Sequence, residues 1–119
     1  MPPLALLRTH GVEVFSGSDN IRDAWSPFGN GDMLERAMLI GYRANFRHDH
    51  ELMLPYQMVT EAAARALGLA DYGIRVGGPA DLVAVEAGSI AEAVASRPRR
   101  KWVMKAGRIV ARDGVLTAP

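Results

Sequence analysis

Cysteine is absent from the 119 residues, which excludes disulfides and thiolate metal sites and leaves the redox compartment unread. An excess of either charge is also lacking. The 14 Lys and Arg stand against 13 Asp and Glu, a formal +1, so nothing points to nucleic acid or an anionic membrane surface. No apolar run approaches the ~20 residues of a membrane span. The opening "MPPLALLRTH" is too short and too weakly charged at its start for a signal peptide. What is present is apolar: 49% hydrophobic residues, enough at this length for one folded domain with a modest core rather than a disordered segment. The expectation is a soluble, cytoplasmic protein with neither nucleic-acid nor membrane partners.

Local signals divide the chain into helices first and small strands afterwards. Residues 3–8 fit one helical turn, closed by Thr9, His10 and Gly11. "VEVFSGSD" reads as a strand, because Val12, Val14 and Phe15 favour β structure and Gly17 ends the run; Glu13 needs a polar or wet partner there. The stretch from Asn20 to Gly31 holds Pro27, Gly29 and Gly31, and reads as a loop of a length that is often functional.

Asp32 starts a helix, with Glu35 three residues on in a capping-box pattern; its apolar residues from Met33 to Tyr42 cover enough of the circumference to predict extensive burial. A second helix is expected from about Glu51, interrupted or kinked by Pro55. Thr60 is placed to cap a third, which stops at Gly68. Beyond Leu69, residues 74–76 look strand-like and "DLVAVE" is a strand by composition. Ser89 to Ala95 fits one or two helical turns. "KWVMKAGRIVARDG" reads as a hairpin turning at Ala106-Gly107, of open turn type because Ala106 is a mediocre residue for positive φ.

Several stretches carry candidate chemistry, each beside a plainer alternative. Asp19 ends the first strand, where a carboxylate could ligate a divalent metal or take a proton from water, or simply close an Asx turn. His48 and His50 in "RHDHE" have a spacing that suits a shared metal on a strand. Between two helices, a solvated turn is the better reading. "GNGD", Gly29 to Asp32, could cradle a phosphate at a helix N-terminus, but it lacks a Walker lysine and Asp32 would repel the anion. "RPRRK", Arg97 to Lys101, reads as a solvated connection rather than a nucleic-acid contact. Trp102 reads as a sheet residue, whereas Trp25, in the long loop after Asp19, is better placed to touch a small molecule. No Ser has a base and an orienting group near it, so nucleophilic catalysis has no support.

Four pieces in order resemble the C-terminal portion of the amidohydrolase superfamily, and within it the cytosine-deaminase-like group. They are "GVEVFSGSDNIRDAWSPFGNGDMLE", "MVTEAAARALGL", "DYGIRVGGPADLVAVE" and "VMKAGRIV", together spanning about Gly11 to Gly114. The resemblance implies an α/β fold. Residues 1–72 would be the last strand, long loop and helices of a metal-dependent hydrolase (β/α)8 barrel. Residues 73–119 would be the C-terminal segment of a small composite β-sandwich domain, the whole being truncated.

By position, Asp19 would be the catalytic aspartate, a ligand of zinc or iron and the proton shuttle in hydrolytic deamination. Trp25 and Asn20 would contact substrate; Asn20 stands where a second aspartate is often found, which weakens any assignment of cytosine itself. No histidine matches a family ligand: His10 precedes the strand, and His48 and His50 follow it on a helix connection.

The function so implied is part of a metal-dependent C–N hydrolase acting on a cyclic amidine or nitrogen heterocycle. The isolated chain is expected to be inactive, without a tightly bound metal, and to form a homo-oligomer or associate with a missing barrel portion. The alternative is a non-catalytic α/β domain for association or small-molecule binding.

Overall fold

In the computed structural model, which describes residues 2–117, the helical half comes first as expected. Helix α1 (Leu4–Thr9) is a short amphipathic turn whose Leu4 is buried. Helix α2 (Met33–Arg43) is capped by Asp32, whose Oδ1 accepts the amides of Leu34 at 2.9 Å and Glu35 at 3.2 Å. The expected reciprocal half of the capping box is absent. Glu35 instead accepts from the Asn30 side-chain amide at 3.1 Å, and Asn30 Oδ1 accepts the Asp32 N–H at 2.8 Å.

Helix α3 (Asp49–Met58) runs through Pro55, whose ring is fully buried, so the proline interrupts neither the helix nor its packing. Gly41 of α2 opposes it: a Cβ there would come within 2.9 Å of Leu52 Cδ2, so that side chain would have to shift, and would meet Pro55 Cγ at an ordinary 3.8 Å. Helix α4 (Glu61–Ala66) has Thr60 at its N-cap position, but the Thr60 hydroxyl donates back to the Tyr56 carbonyl at 2.8 Å and does not cap. Gly68 closes it as read from sequence: with φ +70°, it lets Gly68 N–H reach Arg65 O and Leu69 N–H reach Ala64 O, a Schellman closure.

The second half is a four-stranded antiparallel sheet in the order β1-β2-β3-β4, made of β1 (Leu82–Val85), β2 (Arg100–Lys105), β3 (Arg108–Arg112) and β4 (Val115–Leu116). Helix α5 (Ile90–Ser96), capped by Ser89, is inserted between the first two strands. Ala106 (φ 49°) and Gly107 (φ 76°) both take the left-handed conformation that a tight two-residue hairpin turn demands. The Asp81 carboxylate offsets the cost of Ala106 by accepting its N–H at 2.7 Å, and it also pairs with Lys105. Those two donors hold the Asp81 carboxyl below its ordinary value. The strand β4 was not foreseen, although Asp113-Gly114 repeats the same left-handed pair (φ 48° and 79°).

Three expectations are corrected. No strand forms over residues 12–19, and none over residues 74–76, where Ile74 and Val76 are exposed. The β propensity is real, but a strand needs a neighbour, and among the described residues neither segment lies beside one. The fold is therefore mixed helix and antiparallel sheet, with no parallel strand among the described residues. Third, α2 is not extensively buried: Ala37, Ile40 and Gly41 are covered, while Leu39 and Tyr42 face solvent.

The core is correspondingly small. Leu4, Ile40 and Met58 form its centre, with Val14, Phe46, Leu54 and Val59 packed around them. Helix α5 lies against α2 and α3 through the fully buried Val94, so the helices pack on one another rather than on the sheet. Beside this apolar packing of α5, ion pairs also join the two halves. Arg100 of β2, about one-fifth exposed, bonds the same Asp32 carboxylate that caps α2, and Arg97 lies 3.6 Å from Glu35. The basic stretch "RPRRK" is thus not a simple solvated connection: it opens β2, and Lys101 adds a pair to Glu86 at 3.0 Å.

Candidate functional site

Asp19 sits at the end of the unpaired segment, exposed, in the left-handed conformation with φ 57°. Among the described residues its carboxylate takes part in no hydrogen bond or ion pair. Its backbone is less free, because Arg36 Nη2 on α2 donates to the Ser18 carbonyl oxygen at 2.5 Å. Asp19, Asn20, Arg36 and Glu35 line one open cleft of about 660 Å³, together with Phe28 and Leu39.

The loop from Asn20 to Gly31 closes on itself beside that cleft. Arg22 N–H donates to Phe28 O at 2.9 Å. Gly29 (φ 99°) passes so near the start of the loop that a Cβ would lie 2.6 Å from Asn20 O. This is a compact loop with its ends in contact, built for shape rather than slack.

Asp23 organises its interior. Its carboxylate accepts from the Asn20 amide at 2.5 Å, from Trp25 N–H at 2.9 Å and from Ser26 N–H at 3.1 Å. The Asn20 side-chain bond, followed by the Trp25 amide, holds the Asp23 carboxyl below its ordinary value of 3.8. The lowered value means that the carboxylate's contribution to loop order is present above that ordinary value and fades as pH falls through the shifted one. The Trp25 and Ser26 amide proton resonances should therefore move together on acidification, with a midpoint below 3.8. Resonances that stay flat across that range would show that Asp23 does not hold the loop.

Of the residues singled out in the sequence, Asp19 and Asn20 come together at the cleft. Trp25 does not line it: the indole is 88% exposed and its backbone alone is engaged. Asp23 and Arg36 were missed, and Gly29 was singled out for a different role. Asp23 had a readable signal, an Asp three residues ahead of a Ser-Pro turn in a glycine-bearing loop. Arg36 had none, because its bond spans 18 positions.

"GNGD" is no phosphate cradle, since Asp32 already occupies the leading amides of α2. His48 and His50 stack at 5.6 Å between ring centroids on the exposed start of α3, where Glu51 accepts the Arg47 and His48 amides. No group of three or more His, Asp or Glu side chains that could hold a metal ion occurs among the described residues. No helix among them is long and apolar enough to cross a membrane.

A family model described as the amidohydrolase family matches residues 1–111. The N-isopropylammelide isopropyl amidohydrolase of Pseudomonas sp. (strain ADP) is 41% identical over 99% of this chain and 29% of its own length. The crystal structure of N-isopropylammelide isopropylaminohydrolase from Burkholderia multivorans superimposes with a TM-score of 0.94 at 47% identity, over 98% of this chain and 30% of that one. A 5-methylcytosine deaminase from Klebsiella pneumoniae, solved with 5-fluorocytosine, gives a TM-score of 0.84 at 30% identity, again over 98% of this chain and 29% of its own. The chain spans about 30% of the length of these relatives.

Proposed function

Because the chain belongs to the amidohydrolase family, we propose that it supplies the Asp19 carboxylate and the adjoining substrate loop of a hydrolytic deaminase. The substrate class is an amine-bearing nitrogen heterocycle or cyclic amidine, of the kind named for its relatives. In this reading residues 1–72 belong to the terminal part of a (β/α)8 barrel and residues 73–119 to a small β-domain. The observation that carries it is the free carboxylate of Asp19, held at a cleft on a fixed backbone and neutralised by no partner among the described residues.

The chemistry follows from that carboxylate. Water adds its oxygen to the ring carbon that bears the amine, Asp19 accepts the proton the water gives up, and the same proton passes to the departing nitrogen as the C–N bond breaks. Asn20, on the loop that Asp23 orders, is assigned to substrate contact; Trp25, outside the cleft, is given no role here. A zinc or iron ion, implied by the family resemblance, needs three or four donors. No group of three or more such donors gathers among the described residues, so these residues alone do not fit a metal centre and no step is routed through one. Association with further chain, or with a second copy, is part of the same reading.

A chimera tests it. The matched segment of the Burkholderia enzyme is replaced by this chain, and release of isopropylamine from N-isopropylammelide and of ammonia from 5-methylcytosine is measured. Hydrolysis of either is expected. A folded chimera that hydrolyses neither would leave the association domain as the reading.

A further inference from the structure

We propose that Arg36 of α2 is a positioning residue for Asp19, acting through the carbonyl oxygen of Ser18. The inference rests on the reading of Asp19 as the reacting carboxylate, but its geometry stands apart from that reading. The segment 12–19 has no strand partner among the described residues, and four tethers hold it, one to each of four helices, beginning with Val12 N–H, which donates to Leu7 O of α1 at 3.0 Å. Arg65 of α4 bonds the Glu13 carboxylate, with Nε to Oε1 at 2.8 Å. Ser16 N–H donates to Met58 O at the end of α3 at 3.0 Å. Arg36 of α2 donates to Ser18 O at 2.5 Å. Only the last touches the peptide that leads into Asp19.

That peptide matters because the Ser18 carbonyl and the Asp19 amide share one plane. Holding the oxygen holds the plane, and the plane is the fixed side of rotation about the Asp19 N–Cα bond. Asp19 has φ 57°, a region that residues with a Cβ seldom occupy. An aspartate commonly supports this conformation with a local bond from its own side chain, and no such bond is present here.

The conformation is therefore imposed from outside. Arg36 fixes the chain before Asp19, and the crossing of Asn20 O against Gly29 fixes it after. Release of either side would let Asp19 relax to negative φ and re-aim its carboxylate away from the cleft. Arg36 is suited to this task because it has no ion pair among the described residues, and because the Asp32 cap anchors the start of its helix.

The test is local and spectroscopic, on the full chain labelled for NMR. Arg36→Met keeps length and helix propensity but removes the donor; Arg36→Lys keeps a cationic donor. The strong intraresidue amide–Hα contact of Asp19, the mark of positive φ, is expected to be lost in Arg36→Met and retained in Arg36→Lys. Signals of Ser16 and of α3 should stay in place in both. A positive-φ signature that persists in Arg36→Met overturns the proposal, as does its loss in both variants. Should Arg36→Met fail to fold, Arg36→Gln, too short to reach Ser18, is read by the same two criteria. Turnover of Asp19→Asn tests the catalytic reading separately, so the two can fail independently.

Discussion

Asp19→Asn, made in the chimera, is expected to lower turnover by ~10² or more, the range that a positioned general acid–base group supplies. The amide preserves shape and the capacity to accept a hydrogen bond, but it cannot take up the proton that hydrolysis releases. It tolerates the left-handed conformation as well as aspartate does, so the backbone at φ 57° is undisturbed. Because the Asp19 carboxylate bonds nothing else among the described residues, the substitution breaks no contact within this segment.

His48→Ala is the matched control. His48 is exposed at the start of α3, and the Glu51 carboxylate there bonds its backbone rather than its ring, so turnover should be nearly unchanged. Equal losses from both substitutions would place the reacting group elsewhere. Expressed as kcat and KM, the Asp19→Asn loss should fall on kcat, since the carboxylate acts on the bond-making step rather than on ground-state binding.

What could be read beforehand was whatever is decided within a few residues. Asp32 caps a helix, Gly68 ends one, and Ala106-Gly107 turns a hairpin because each acts on amides or dihedrals next to it. Asp113-Gly114 was equally local and was overlooked. The unread features are those that depend on distant chain. Val12, Val14 and Phe15 have the composition of a strand, yet composition cannot supply the neighbour whose carbonyls and amides complete it. The Asp32–Arg100 pair joins positions 68 apart, and nothing in either local pattern announces the other. At the candidate site the same division holds. Asp19 was legible from its place after an apolar run, whereas Arg36, which holds its backbone, was legible only in three dimensions.

The isolated chain is expected to self-associate. Its accessible surface is 8541 Å², whereas a folded monomer of 12.9 kDa exposes about 6,300 Å². The excess, about 2,200 Å², is comparable to what two partners together bury in a specific interface. Part of it is apolar. Phe15 and Val12 on the unpaired segment are about half exposed, and Phe28 and Leu39 open onto the cleft at Asp19. In the segment between α4 and β1, Ile74 and Val76 are almost wholly exposed.

Water can satisfy the unpaired amides and carbonyls of residues 12–18, but apolar surface left in water costs about 25 cal/mol per Å². Pairing of those unpaired edges, or packing of the exposed face of α2, would remove both liabilities at once. Sedimentation equilibrium across a range of concentrations should show a mass rising above that of one chain, with Leu39→Glu shifting the equilibrium back toward the monomer. A single species at the mass of one chain throughout, unfolding cooperatively, would mean that this small helical core suffices alone. It would also favour the stand-alone association domain over the hydrolase segment.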